Sequence, residues 1–440
     1  MAEDVSQKRP QIFGSAGAFT CLYTGCVAKV LLHNLSAAYT SVAPELFSFD
    51  RNALLFAELG DVVVVRGRVP EETYLAYLRG IGVAADGVQF FVSPRPTSPH
   101  SVFEDVELIA DLRAHLTTHP GVWALDTYAY THHEHFLAEQ LGIPSVRNPE
   151  HFYRYGTKSG FRTSAKQCSV ATPRGYEHLT DEVSVGLAMA RLFLRGANEV
   201  VVKQDEGAAG LSLRRYSRRS FLEQVSQFDI EGLLPHIGIL PAQSKRYVVE
   251  EWYGDVLSAP SIEFFIHADG VVTLSSAHEQ ILYPDGQTYR GCRSAHWLGK
   301  EVRAELECRG MMLAQALADV GARGPVAFDA IVRTGGEVLF VEANIRRIMS
   351  SYAHQIARRV SRGTPEVLPY ISVRLERPKW KGKGFADILR ELERVLYTQG
   401  SSVGVIPYDI GMLTSHGRLS LLCIGPSIEA VESLYRQVVG

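Results

Sequence analysis

The stretch that decides the fold is residues 328–346, FDAIVRTGGEVLFVEANIR. Two apolar runs flank Gly335-Gly336, a pair typical of a two-residue type I′ turn, which needs positive φ at both central positions. With that turn, Asp329 lies directly opposite Glu342, and Asn344 points to the same side of the sheet. Because like charges opposed on one face destabilise a hairpin, the sequence predicts a positive charge between the two carboxylates.

The bulk composition is that of an ordinary globular protein. The 440 residues are 46% apolar and 21% charged, and the formal net charge is −3. This balance gives no reason to expect a nucleic-acid or membrane partner, and no apolar stretch reaches the length of a spanning helix. The N-terminus lacks a secretory pattern and the six cysteines are scattered, so we expect a reduced, cytoplasmic enzyme.

Three zones differ in their patterns. Residues 1–150 alternate strand-like runs with helices, which favours an open, mostly parallel α/β sheet. Residues 151–375 have longer strands joined by tight turns that contain glycine, including an expected hairpin turn at Asp269-Gly270. Residues 376–440 form a third, α/β segment, which we expect to pack on the second zone.

Two helix starts in the first zone fit the capping-box pattern, Ser101 with Glu104 and Thr131 with Glu134. The second lies in the run Thr-His-His-Glu-His, residues 131–135, which resembles a metal site at first sight. The histidines of one helical turn point in different directions, so we interpret the run as a capped, solvated helix start.

The stretch 200–213, VVVKQDEGAAGLSL, combines a lysine with a loop of small residues. The backbone N–H groups of such a loop can close around an anion, and Lys203 could place its ammonium on a phosphate. A plain hairpin tip is the alternative, and Asp205 and Glu206 add negative charge beside the expected anion. The loop residues are Gly207, Ala208, Ala209 and Gly210.

Two further stretches carry candidate binding residues. Lys158 precedes a short apolar segment and, taken alone, is a surface helix start. The strand run KRYVVEEWYGD, residues 245–255, could offer its backbone to a purine edge while aromatic neighbours exclude water. An exposed strand end is the alternative. The four residues concerned are Glu250, Glu251, Trp252 and Tyr253.

The order of these stretches resembles the ATP-grasp superfamily over residues 151–350. The resemblance implies an α/β (α+β) fold, an ATP-grasp fold with an N-terminal pre-ATP-grasp open α/β domain. It implies Mg²⁺ bound by Asp329, Glu342 and Asn344, an oxygen set that suits this ion. It also implies that Lys158 and Lys203 contact the phosphates of ATP, with the loop 207–210 as a flap.

The same resemblance places adenine at residues 250–253 and expects an acidic residue for the ribose, with Asp255 and Glu263 both open. Arg346 should project toward the phosphates or an acyl phosphate. Arg290 and Arg293 are further candidates for a cationic patch, with solvated surface as the alternative. The family pattern has an arginine two residues before the hairpin aspartate, where this chain has Ala327, so another arginine is expected to do that work.

The implied reaction is ATP-dependent ligation, in which a substrate carboxylate becomes an acyl phosphate and then reacts with an amine. Three stretches resemble the peptide ligases of pheganomycin type, LLHNLSAAYTSVAPELFSFDRNALLFAELGDVVVV, SIEFFIHADGVV and FVEANIRR. This implies a small-molecule carboxylate donor and the α-amine of a peptide as acceptor. A ligase for free amino acids or another metabolite and a non-catalytic ATP-binding module stay open, and a homodimer is one option for its assembly.

Overall fold

The computed structural model describes residues 27–35, 44–93, 100–206, 213–227, 246–284, 286 and 288–439, and its strands form three sheets. Within those ranges no helix combines the length and apolar character needed to cross a bilayer. The flap expected at residues 207–210 lies outside the described residues.

The first sheet is parallel and has the order β3-β2-β1-β4, which confirms the expected open α/β arrangement. Its strands are β1 (Ala28–Leu32), β2 (Val62–Arg66), β3 (Gln89–Ser93) and β4 (Trp123–Thr127). Its helices are α1 (Glu72–Gly80), α2 (Ser101–Glu104), α3 (Val106–Thr118) and α4 (His132–Leu141), with a 3₁₀ segment at Pro44–Phe56. The strand Val62–Arg66 is fully buried, as expected for a parallel strand covered on both faces.

Two helices, α5 (Pro149–Tyr155) and α6 (Lys158–Gln167), lead into a small antiparallel sheet of order β5-β8-β6-β7. Its elements are β5 (Gly175–Leu179), α7 (Glu182–Leu194), β6 (Glu199–Gln204), β7 (Leu213–Ser217), α8 (Arg218–Gln227) and β8 (Tyr247–Trp252). Helix α7 covers one face through Val185, Met189 and Leu192, which pack with Val200 and Val202. The opposite face therefore carries Lys203 and Glu250, because strand side chains alternate.

The large sheet has nine strands in the order β14-β13-β10-β11-β12-β15-β17-β16, with β9 paired to β13. They are β9 (Val256–Ser258), β10 (Pro260–Ile266), β11 (Val272–Leu282), β12 (Tyr289–Ser294), β13 (Gly324–Arg333), β14 (Val338–Asn344), β15 (Tyr370–Glu376), β16 (Gly404–Tyr408) and β17 (Arg418–Ile424). The helices are α9 (Lys300–Asp319), α10 (Met349–Val360), α11 (Phe385–Leu392), α12 (Leu413–His416) and α13 (Ile428–Val439). Short 3₁₀ segments lie at Ala295–Trp297, Pro378–Trp380 and Ile410–Met412.

Helices α6 and α9 cover one face of the large sheet, where Phe161 and Leu313 pack with Phe264 and Phe328. Helix α10 covers the other face, and its Ser351 contacts Glu263 on β10. Residues after 376 add β16 and β17 to this same sheet. The division of the chain at residues 150 and 375 stays a proposal.

The two expected capping boxes have different outcomes. Thr131 and Glu134 form the predicted box. In the part of the chain that the structure describes, no three or more histidine, cysteine or acidic side chains are grouped as metal ligands. The box predicted at Ser101 is wrong, because Ser101 lies inside α2 and the cap of the next helix is Asp105, which accepts from Leu108 N at 3.0 Å.

The capping box predicts a pH dependence of stability. Glu134 has no exposed surface, and burial raises its pKa from 4.5 to about 7. A carboxyl whose folded-state pKa is raised contributes stability that is complete below the unfolded-state pKa and is lost as the pH rises through the folded-state pKa. Between pH 4.5 and 7.5 we expect the wild type to lose about 3 kcal/mol of unfolding free energy relative to Glu134→Gln.

Urea unfolding of both proteins across this pH range measures the effect. Glu139→Gln, on the exposed side of the same helix, is the control and should follow the wild type. Parallel curves for the wild type and Glu134→Gln would show that Glu134 does not titrate there.

Candidate active site

The hairpin β13–β14 carries the predicted pair, and its turn differs from the prediction. Arg333 N donates to Glu337 O and Gly336 N donates to Arg333 O, both at 2.9 Å, so the loop has three residues rather than two. Of the two glycines, Gly336 has positive φ (82°) and Gly335 does not, which makes the predicted type I′ turn wrong. The pattern is a type I turn followed by a left-handed glycine.

Asp329 nevertheless pairs with Glu342, as predicted, because a β-bulge compensates for the longer loop. The register runs Val332↔Val338 and Ala330↔Phe340, then shifts by one residue before Asp329↔Glu342. The extra residue on β14 is Val341, and a bulge of this kind re-aims the side chains that follow it.

Three oxygen-bearing side chains meet at this point. Asn344 Nδ2 donates to Asp329 Oδ2 at 3.2 Å. Burial and the neighbouring charge of Glu342 raise the pKa of Asp329 to about 7, and Arg346 opposes the rise. Two carboxylates that repel each other beside a carboxamide form a site that a hard cation would stabilise, and the donor set fits Mg²⁺.

Lys158 begins helix α6 beside this triad. Burial lowers the pKa of its ammonium, and Glu342 is the largest opposing charge. Asp205 fixes the helix start, because its backbone oxygen accepts from Lys158 N at 3.1 Å and its Oδ1 accepts from Ser159 N at 2.6 Å. The negative charge of Asp205 therefore stabilises the N-terminus of α6, where the helix dipole favours it.

Lys203 lies on the open face of the small sheet in a buried ion-pair group. Its Nζ is 2.5 Å from Glu250 Oε2, and Arg162 NH1 is 2.6 Å from Glu250 Oε1. Burial alone would raise the pKa of Glu250, but the charges of Lys203 and Arg162 outweigh it and lower the pKa. Arg162 Nε also pairs with Glu177 Oε2 at 3.0 Å, so two cations and two carboxylates balance in this group.

The expected adenine segment splits between the two faces of the small sheet. Glu250 and Trp252 share the open face with Lys203, and Arg215 lies 4.4 Å above the Trp252 ring. Glu251 lies on the face covered by α7 and forms two hydrogen bonds with Arg174, at 2.6 and 2.9 Å. Strand β8 lies between β5 and β6 and ends at Trp252. Tyr253 is therefore the first residue after the strand.

Three predicted residues have their observed contacts outside the triad. Glu263 is buried on β10, where it accepts from Ser351 Oγ at 2.8 Å, so it belongs to the packing of α10 rather than to the small sheet. Arg293 pairs in register with Glu279 and points to the opposite face from Asp329. Arg290 lies near the start of β12, 5.7 Å from the Tyr283 ring. Their nucleotide and catalytic roles stay predictions.

Arg346 does lie near the triad, because its charge acts on Asp329. Three residues that the sequence analysis missed also have contacts near the candidate site, Arg162, Asp126 and Arg347. Arg162 holds Glu250, while Asp126 at the end of β4 holds Arg347 at 2.8 Å. Two sequence features could have indicated them: the adjacent arginines of EANIRR for Arg347, and a carboxylate near the end of a parallel strand for Asp126.

The chain is similar to known proteins over most of its length. A family model described as Pre ATP-grasp domain matches residues 50–143. The L-propargylglycine–L-glutamate ligase of Streptantibioticus cattleyicolor is 27% identical over 371 residues, which cover 76% of this chain and 73% of that protein.

Two solved structures share the fold. The biotin carboxylase domain of the Hydrogenobacter thermophilus 2-oxoglutarate carboxylase, a complex with MgADP, ADP and bicarbonate, has a TM-score of 0.56 at 15% identity and covers 93% of this chain and 88% of that one. The L-amino acid ligase from Bacillus licheniformis has a TM-score of 0.53 at 15% identity and covers 94% and 97%. The chain therefore has a pre-ATP-grasp domain at residues 50–143 and the overall fold of these ATP-grasp structures.

Proposed function

We propose that this ATP-grasp ligase joins the carboxylate of an amino-acid-type building block to the α-amine of an amino acid or a peptide in natural-product biosynthesis. Its cofactors are ATP and Mg²⁺, as in the nucleotide complexes of the same fold. The observation that carries the proposal is the opposed pair Asp329 and Glu342 with Asn344 on one hairpin. The relative named for joining L-propargylglycine and L-glutamate supports an amino-acid substrate.

The reaction has two steps, and in both the protein acts by positioning and charge. The donor carboxylate attacks the γ-phosphoryl group, which releases ADP and gives an acyl phosphate; the amine then displaces phosphate and forms the amide. Mg²⁺ held by Asp329, Glu342 and Asn344 would neutralise phosphate charge. Lys158 and Lys203 would bind phosphate oxygens, and Arg346 would stabilise charge on the transferring group.

For the nucleotide, we propose that adenine lies beside Trp252 on the open face of the small sheet. Tyr253 contacts Glu251 and Arg174 of the opposite face. Asp255 follows two residues later and is partly exposed, whereas Glu263 is buried beneath α10. This supports Asp255 rather than Glu263 as the residue nearest the ribose.

ADP release tests the function directly. We expect sustained ADP release only when a donor carboxylate and an acceptor amine are both present, across a panel of L-amino acids and short peptides. Peptides with an acetylated N-terminus are matched controls that lack the amine, and mass spectrometry identifies the product. Nucleotide binding with no turnover over the whole panel would favour a binding module, and turnover with acetylated peptides would exclude the α-amine as nucleophile.

Glu342→Gln tests the metal role. The variant keeps the shape of the side chain and removes a charged ligand, so turnover should fall at least about 100-fold. It should also lose the rise in melting temperature that Mg²⁺ and ATP give the wild type. Glu337→Gln, on the same hairpin and exposed, is the control. Normal turnover in Glu342→Gln would remove Glu342 from the metal site.

Lys203→Met tests the phosphate role. Because a charge-assisted hydrogen bond would be lost, we expect the KM for ATP to rise by about 10-fold or more. The exposed Lys166→Met on α6 is the control for loss of one positive charge. If KM and kcat were unchanged, Lys203 would have no role in binding phosphate and would serve only as the ion-pair partner of Glu250.

A further inference from the structure

The first sheet offers a crevice at its topological switch point. In the order β3-β2-β1-β4, the chain continues from β1 to β2 on one side and later adds β4 on the other side. In open α/β sheets such a reversal leaves a crevice at the carboxyl ends of the two strands, here β1 and β4. His33 follows β1 and Asp126 lies near the end of β4. In many open α/β sheets such a crevice receives a ligand, but here a side chain from the large sheet enters it.

That side chain is Arg347, three residues after the end of the hairpin strand β14. Its NH2 donates to both oxygens of Asp126, at 2.8 and 2.9 Å, and its guanidinium lies 4.1 Å from the Phe56 ring. The Arg347 side chain is 10% exposed. His33 Nε2 is 3.4 Å from Asp126 Oδ1, so the carboxylate lies between a guanidinium and an imidazole.

The same contacts determine where Arg346 can point. Arg347 N donates to Tyr128 O at 2.9 Å, and an isolated β-bridge pairs Ala129 with Arg346. Arg346 NH1 donates to Tyr128 Oη and to Arg347 O, both at 3.0 Å. The guanidinium of Arg346 is therefore held by the backbone of Arg347 and by a tyrosine two residues after Asp126.

We propose that Asp126 is a positioning residue for ligation, which acts through its ion pair with Arg347 to hold Arg346 toward the Asp329–Glu342 pair. This rests on the proposed function of Arg346 at the transferring phosphoryl group. Asp126 itself touches no reacting atom, because its oxygens face Arg347 and His33. The pre-ATP-grasp domain thereby completes the active site with an orienting contact instead of a substrate pocket at the switch point.

A merely structural contact between the two sheets is the competing explanation, and the chain contains a matched control for it. Arg359 lies at the other end of α10, a buried guanidinium that also reaches the first domain. It donates to Val83 O and Ala57 O, both at 2.7 Å, and pairs with Glu58 at 2.9 Å. Loss of Arg359 removes a domain contact of similar kind about 18 Å along the helix from Arg347.

The experiment compares Asp126→Asn, Arg347→Met and Arg359→Met in the full chain, with kcat, both KM values and melting temperature as readouts. We expect Asp126→Asn and Arg347→Met to lower kcat on the order of 10- to 100-fold with little change in the KM for ATP. Arg359→Met should lower the melting temperature and leave kcat near the wild type. Equal kcat losses in all three variants would overturn the proposal.

Epistasis supplies the second test. If Asp126 acts through Arg346, Asp126→Asn should cost no further activity in an Arg346→Lys background. If Asp126→Asn lowers kcat in that background by the same factor as in the wild type, Asp126 does not act through Arg346. If Arg346→Lys alone has a wild-type kcat, Arg346 has no part in the proposed function.

Because Asp126→Asn leaves Arg347 buried without its partner, folding could fail. The double variant Asp126→Leu with Arg347→Met removes both charges and should recover the melting temperature. A lowered kcat in that folded protein supports the proposal, and wild-type kcat overturns it.

Discussion

Two opposed carboxylates on one hairpin are the constraint on which the rest of the site depends. Asp329 and Glu342 repel each other, and the pKa of Asp329 rises to about 7 as a result of burial and this repulsion. Positive groups from separate parts of the chain therefore converge on them, Lys158 from α6 and Arg346 from the loop after β14. A bound cation would relieve this repulsion, which supports the proposal that the pair binds metal beside a phosphate.

The small sheet places one carboxylate, Glu250, between two cationic side chains. Lys203 and Arg162 both contact Glu250, and Arg162 also pairs with Glu177, so a charge-balanced group holds the Lys203 ammonium in place. The lysine side chain therefore has less conformational entropy to lose on binding a ligand. Asp205, which looked unfavourable for an anion site, stabilises the start of α6 through Lys158 N and Ser159 N.

Patterns within one hairpin were predictable, and contacts between distant segments were not. The Asp329–Glu342 pairing follows from the sequence because strand periodicity is local, yet the type I′ turn was wrong and a bulge at Val341 restored the register. The parallel first sheet also followed from alternating patterns. The burial of Glu263 under α10 and the Asp126–Arg347 pair, 221 residues apart, depend on tertiary packing that no local pattern encodes.

The hairpin is fastened at both ends, which explains how its middle can hold repelling charges in one geometry. At the tip, Arg333 pairs with Asp255 at 3.1 Å and Thr334 N donates to Asp255 O at 2.9 Å, which ties the turn to the segment that leaves the small sheet. At the base, Arg346 and Arg347 are tied to the end of β4 in the first sheet. Asp329 and Glu342 lie between these anchors, so strand slippage cannot separate them, and a cation bound between them would relieve their repulsion.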